Sequence, residues 1–224
     1  MKKLIYPLIL SLLIGLEAFG QESVTIKMGE DLNETLLTRR YLFPKFQDAR
    51  IYLKNESTTA LMNYNALTDQ MEFINDNGMA VALRTRPQMI MFGSRVFKPS
   101  PKGYVEVMVD DPNGEFLVRR KFKATSSTKT SIYGMSGETS ALSGFSSPSL
   151  NNGIAFSLNE EVTYSNTNTY YIFTSGKYFL ANKAGFIKAF GKQRPDLENY
   201  LKENPVNYNV EEDLFHLFSY CIKE

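Results

Sequence analysis

From residue 48 to residue 123 the chain is cut into short runs of β-forming residues by Asn, Asp, Gly and Pro, and this punctuation limits the fold more than any other feature. The runs are RIYLK (50–54), TALMNYN (59–65), QMEFI (70–74), AVALR (80–84), QMIMF (88–92) and YVEVMV (104–109). Several alternate with period two, which turns one strand face to a core and the other to water. NDNG (75–78) and DPNG (111–114) stand between adjacent runs. In DPNG the proline presets the first turn angle while Asn and Gly accept the later ones, so YVEVMV and EFLVRRKF (115–122) are expected to pair as a hairpin. Local connections at such short spacing give an antiparallel meander, closed as a sandwich or a small open barrel. The expected class is α+β, mainly β.

Residues 125–150, TSSTKTSIYGMSGETSALSGFSSPSL, break the rhythm. So polar a stretch buries too little to offset its ordering entropy and reads as a mobile loop. Strands then resume with IAFSL (154–158), EVTYS (161–165), YYIFT (170–174) and KYFLA (177–181). Residues 182–224 change period. Asn182 is placed to cap a helix carrying Phe186, Ile187 and Phe190, stopped by Gly191. Pro195 suits the first turn of a second helix with Leu197, Tyr200 and Leu201 on one face, ended by Asn204-Pro205. Asn209 is expected to cap a third, with Glu212 completing a capping-box-like pair. Helices this short do not persist alone and must dock on the sheet or on one another.

MKKLIYPLILSLLIGLEAFG opens the chain with a basic n-region (Lys2, Lys3), a short apolar run, and small residues at Ala18 and Gly20. This is the pattern of a secretory signal peptide over residues 1–20, cleaved before Gln21. The expected mature chain, residues 21–224, forms a single β-rich domain with no transmembrane segment, periplasmic or extracellular. Loss of Lys2, Lys3 and Glu17 from 25 basic and 24 acidic residues leaves 23 of each, which gives no electrostatic footprint for nucleic acid. The basic run RRKFK (119–123) alternates along a strand and reads as a solvated face. With one cysteine there is no intramolecular disulfide, so burial alone must hold the fold in an oxidising compartment.

The only histidine and the only cysteine both lie in HLFSYC (216–221). Leu214, Phe215, Leu217, Phe218, Cys221 and Ile222 form one apolar helical stripe, and His216 lies opposite its centre. Five positions apart, His216 and Cys221 diverge by about 140° and cannot form a catalytic pair. Asp213, His216 and Ser219 share the polar face, but a mid-helix serine has no oxyanion hole, because neighbouring N–H groups are committed to the helix. No phosphate-cradling glycine motif or calcium loop is present, and one His and one Cys do not make a zinc site. No catalytic, cofactor-binding or metal-ligating residue is therefore assigned, and no cofactor is implied.

Carboxylate pairs are the chemistry left, with Glu72, Glu106, Glu115, Glu160 and Glu161 in or beside strands. Tyr164, Tyr170, Tyr171, Phe173 and Tyr178 supply contact surface or, more simply, core and cross-strand packing.

The tail ANKAGFIKAF…LENYLKENPVNYNVEEDLFHLFSY resembles the end of a family of uncharacterised exported, periplasmic proteins of bacteroidete bacteria. There an aromatic strand runs into an Asn-Lys helix, then an I-x-x-Y-I/L-K-x-N helix, then an acidic E-E-D-L helix. RIYLKN…LMNYN…QMEFI resembles their N-terminal strands. The resemblance implies export and a single folded unit, and carries no assigned activity and no functional residues. The expected function is that of an exported non-catalytic envelope module, binding or structural, with an envelope protein or ligand as partner. The alternatives are a carboxylate-dependent, glycosidase-like hydrolase and an outer-membrane-associated barrel component. N-terminal sequencing of exported material is expected to begin at Gln21; an intact Met1 would refute the signal-peptide assignment.

Overall fold

The computed structural model describes residues 23–27, 30, 36–37, 39–130, 136–139 and 161–223. Within them twelve strands join one antiparallel sheet. They are β1 (Ser23–Ile26), β2 (Gln47–Tyr52), β3 (Ser57–Asn65), β4 (Gln70–Ile74), β5 (Ala80–Ala82) and β6 (Met89–Phe92). β7 (Arg95–Ser100), β8 (Gly103–Asp111), β9 (Gly114–Thr130), β10 (Ser136–Thr139), β11 (Glu161–Thr174) and β12 (Lys177–Leu180) follow. Three helices among the described residues come last: α1 (Lys183–Phe190), α2 (Leu197–Glu203) and α3 (Glu211–Ile222).

The spatial order is β1-β11-β9-β8-β7-β6-β2-β3-β4-β5, with β10 beside β9 and β12 beside β11. Two meanders, β2–β5 and β6–β9, meet because β6 returns to pair with β2 rather than extending beyond β5. The order ends at β5 without pairing back, so the sheet is open, and among the described residues there is no second sheet to make a sandwich. The expected DPNG hairpin forms, with Asp111 opposite Gly114. Ser175 and Gly176, both at positive φ, make the two-residue turn between β11 and β12, whose backbone twist matches the strands it joins.

β9 and β11 form the longest pairing, from Glu161 opposite Thr128 to Phe173 opposite Glu115, with one bulge at Thr163/Tyr164. This corrects the expected loop at its start. Residues 125–130 continue β9, and 136–139 pair back on it as β10; the rest of 131–160, including the expected IAFSL strand, lies outside the described residues. EVTYS and YYIFT are likewise one strand. Polar composition misled because a ribbon strand is held by cross-strand backbone hydrogen bonds, and Thr favours the extended conformation at no cost in burial.

Alternation puts Phe116, Val118 and Phe122 on one face of β9, and Val162, Tyr164 and Ile172 on the matching face of β11. That face carries two apolar clusters. At one end Phe122, Val162 and Tyr164 pack with Ile26, Met62, Tyr64, Met71 and Phe97 from the curled half of the sheet. At the other, Phe116 and Ile172 pack with Phe186, Phe190, Leu214 and Phe218 from the helices. Each such side chain, fully buried, contributes about 1.5–3 kcal/mol.

The helices follow the pattern of the sequence, with local differences. Asn182 caps α1, its side chain accepting from the Gly185 N–H at 2.9 Å. Pro195 sits just before the N-cap Asp196 rather than inside α2. Asn209 does not cap α3. Val210 holds that position, and the Asp213 carboxylate instead reaches back to the Asn207 N–H at 2.8 Å. Glu211, Glu212 and Asp213 together set three negative charges against the positive end of the helix dipole. Leu214, Leu217, Phe218 and Cys221 are buried, whereas Phe215, expected in the stripe, is 43% exposed at its edge. His216 faces water, 3.8 Å from the exposed Glu212. Replacing Phe218 by Ala should therefore cost about 3–5 kcal/mol in urea unfolding. Replacing His216 by Ala should change stability by no more than about 0.5 kcal/mol.

Candidate functional site

The acids singled out in the sequence are drawn into the fold by side chains distant in sequence. Glu106 on β8 is almost fully buried between two guanidiniums. Arg95 on β7 donates through Nε and a terminal nitrogen at 2.5 and 2.9 Å, and Arg120 on β9 through Nε at 2.6 Å. Arg95 in turn lies over the rings of Phe43 and Phe97, 4.8 and 5.6 Å from their centroids. Burial alone would raise the Glu106 pKa, but the hydrogen bonds and charges of the two arginines outweigh it and hold the carboxyl below its ordinary range.

Asp69, at the β3–β4 turn with φ of +62°, makes a second tie. It accepts from the Tyr64 hydroxyl, from the Tyr104 N–H at 3.3 Å and from Arg119, with Lys121 3.7 Å away. Beside it the Phe122 N–H donates to the Ala66 carbonyl at 3.0 Å, so this turn docks where β9 has neither β8 nor β10 alongside. Gly103 has φ of +106°, and a Cβ there would collide with the Asp69 carboxylate. The RRKFK run is thus not a solvated face: Arg119 and Arg120 point to opposite sides of β9, and each clamps a buried acid.

Glu72 is buried as well, but its partners are neutral: the Tyr41 hydroxyl at 2.6 Å and the Asn65 amide at 2.7 Å. Burial, and then the bond to Glu72, push the Tyr41 pKa up, so a phenolate nucleophile is disfavoured there. Glu115 binds Lys98 at 2.7 Å, Glu161 is exposed, and Glu160 lies outside the described residues. Among the described residues, no two of Glu72, Glu106, Glu115 and Glu161 share a hydrogen-bond or ion-pair partner. Cys221 is buried, which pushes its thiol up to about 12 and disfavours the thiolate. No group of three or more potential metal ligands occurs among the described residues. Nor is any described helix long and apolar enough to cross a membrane.

The aromatic residues of β11 and β12 mainly pack. Tyr164 meets Phe122 at 5.7 Å between centroids, Tyr170 stacks on Phe116 at 5.8 Å, and Phe173 meets Tyr178 at 4.7 Å. The Tyr170 hydroxyl donates to Glu211 at 2.8 Å, joining the sheet to α3.

The outer face of β2 is different. Alternation along β2 buries Ala49 and Ile51 and leaves Asp48, Arg50 and Tyr52 outside. Arg50 is flanked in register by Met91 on β6 and Thr59 on β3. Together with Gly93 these residues line an open hollow of about 260 Å³. Gly93 takes φ of +58° in the β6–β7 turn, with nothing within 4 Å of where a Cβ would stand, so the rim is low on that side. Among the described residues, neither the Asp48 carboxylate nor the Arg50 guanidinium has a hydrogen-bond or ion-pair partner. Sequence reading passed over this place. Its signal is two opposite charges at i and i+2 on a strand, which becomes a site only once β3 and β6 are known to be the neighbours.

No family model, curated protein or solved structure matches the chain.

The Glu106 tie generates a pH prediction. With its folded pKa below the unfolded value, Glu106 stabilises the fold above the ordinary carboxylate range, and that contribution is lost as pH falls through the depressed value. Glu106→Gln should cost about 3 kcal/mol at pH 7, because it leaves two guanidiniums without their counter-charge. In denaturant titrations between pH 7 and pH 2, the variant's deficit should shrink as wild-type Glu106 protonates.

Proposed function

We propose that the chain is an exported, non-catalytic envelope module that binds a ligand or partner through the outer face of its sheet. The observation that carries this reading is the contrast between two sets of acids. Glu106 and Asp69 are neutralised by arginines as ties between strands, and Glu72 is held by neutral donors. Asp48, beside Arg50, faces solvent over an open hollow. A carboxylate hydrolase needs two acids across a cleft, one of them able to give a proton near neutral pH. Glu106, held ionised by two cations, is poorly suited to that role.

Strand length does not weigh against the barrel alternative, since β9 and β11 run for 17 and 14 residues and exceed the roughly 9–11 a spanning strand requires. What weighs against it is the distribution of side chains. A spanning barrel is closed, apolar outside and polar within. This sheet is open, encloses Phe97, Met62 and Met71, and turns Asp48, Arg50 and Lys98 outward.

Purified mature protein should give no turnover above blank with nitrophenyl glycosides and nitrophenyl esters between pH 4 and 8. Hydrolysis that disappears in a Glu72→Gln or Glu106→Gln variant shown by circular dichroism to be folded would establish the hydrolase and overturn the binding reading.

A further inference from the structure

We infer that the hollow on the outer face of β2 is a subsite for a single neutral sugar ring. The inference rests on the proposed binding role and gives it a place and a ligand class. The argument starts from what the lining offers. Asp48 presents only acceptors, Arg50 only donors, and Thr59 both. On one strand face Asp48 and Arg50 are separated by two residues, about 6.5–7 Å between Cα atoms. Beside Arg50 the lining is apolar, from Met91, and Tyr52 extends the same face of β2. The volume, about 260 Å³, falls just below the range of drug-sized pockets, so the occupant is small.

Charge narrows the class. The carboxylate and guanidinium cancel, so the hollow presents no net field to an anion or a cation. A phosphate on Arg50 would face the Asp48 carboxylate, and an ammonium on Asp48 would face the guanidinium. A pyranose avoids both conflicts. Its hydroxyls donate and accept around the rim, within the reach of one acidic and one basic side chain, and its C–H face needs an apolar floor. The low rim at Gly93 leaves the far side of the ring in solvent, so a ring within a longer glycan could enter as well as a free one.

A hollow this open gives weak binding, with Kd on the order of 1–10 mM for a free monosaccharide. The contacts are hydrogen bonds and apolar burial, so raising NaCl from 20 to 500 mM should leave Kd within a factor of two. A zwitterion bridging Asp48 and Arg50 would instead weaken severalfold as its charges are screened.

The test is an amide NMR titration of the mature protein with glucose, galactose, mannose and N-acetylglucosamine, each to 100 mM, and with glycine as the zwitterion. At least one sugar should shift the amides of residues 48–52, 59 and 91–93. The double variant Asp48→Asn/Arg50→Gln, whose side chains are exposed and which should unfold at the wild-type denaturant midpoint, should bind at least tenfold more weakly. No sugar shifting these amides, shifts confined to other strands, or wild-type affinity in the double variant would each overturn the inference. Salt-sensitive binding of glycine with no sugar binding would overturn it in favour of a zwitterion site. These outcomes leave the non-catalytic reading untouched, since that reading fails only by turnover.

Discussion

The pairing of β9 with β11 is the constraint on which the rest of the structure depends. The two strands are brought together across residues 131–160, and every other part is placed by reference to them. β1 and β12 line the two ends of β11's free side, while β8 and β10 line those of β9. One face of the pair seeds both apolar clusters. A chain with one cysteine has no covalent alternative for holding these parts in register. Strand pairing fixes which residues share a face, and a one-residue slip would send Phe116, Phe122 and Tyr164 to the wrong side at once.

Pairing alone does not set how far the sheet curls, and here the ion pairs have a role that burial cannot fill. The Asp69 tie brings the β3–β4 turn to β9 across 50 positions of sequence, and the Glu106 tie joins three consecutive strands of the second meander. Charges taken from water lose hydration that their mutual attraction repays only when geometry is good, so such ties are weak evidence of net stability. Their geometric effect is more definite. A curl that failed to bring Asp69 to Arg119 would leave both charges partly dehydrated and unpaired. Alternative curvatures of the same meander are thereby raised in energy.

Much of this was legible in the sequence. Period-two alternation and the DPNG turn identified strands and a hairpin, because both depend on neighbours in the chain. The helices were legible for the same reason: Asn182 caps within its own turn, and Leu217, Phe218 and Cys221 share a stripe fixed by helical pitch alone. What failed depended on partners far away. Residues 125–130 have a loop's composition and become strand because β11 and β10 lie beside them. RRKFK has the look of a solvated face and is not one, because Asp69 and Glu106 arrive from other strands. Strand lengths were underestimated for the same reason, since tertiary pairing overrides local polarity.

The hollow on β2 shows the same rule from the other side. Asp48 and Arg50 belong to the same alternating pattern that identified the strand, so their outward direction was predictable, but their isolation was not. Charged residues on a strand usually find an opposite charge on the neighbouring strand or remain in water over a polar surface. Here the register places Met91 and Thr59 in the cross-strand positions beside Arg50, and neither can neutralise it. The i, i+2 spacing leaves Asp48 and Arg50 on one face, and among the described residues they form no ion pair. The buried acids show what this chain does with charge where shape is at stake, which is to pair it across strands. A complementary pair left unjoined over an apolar floor serves no such purpose, and its chemistry is directed outward.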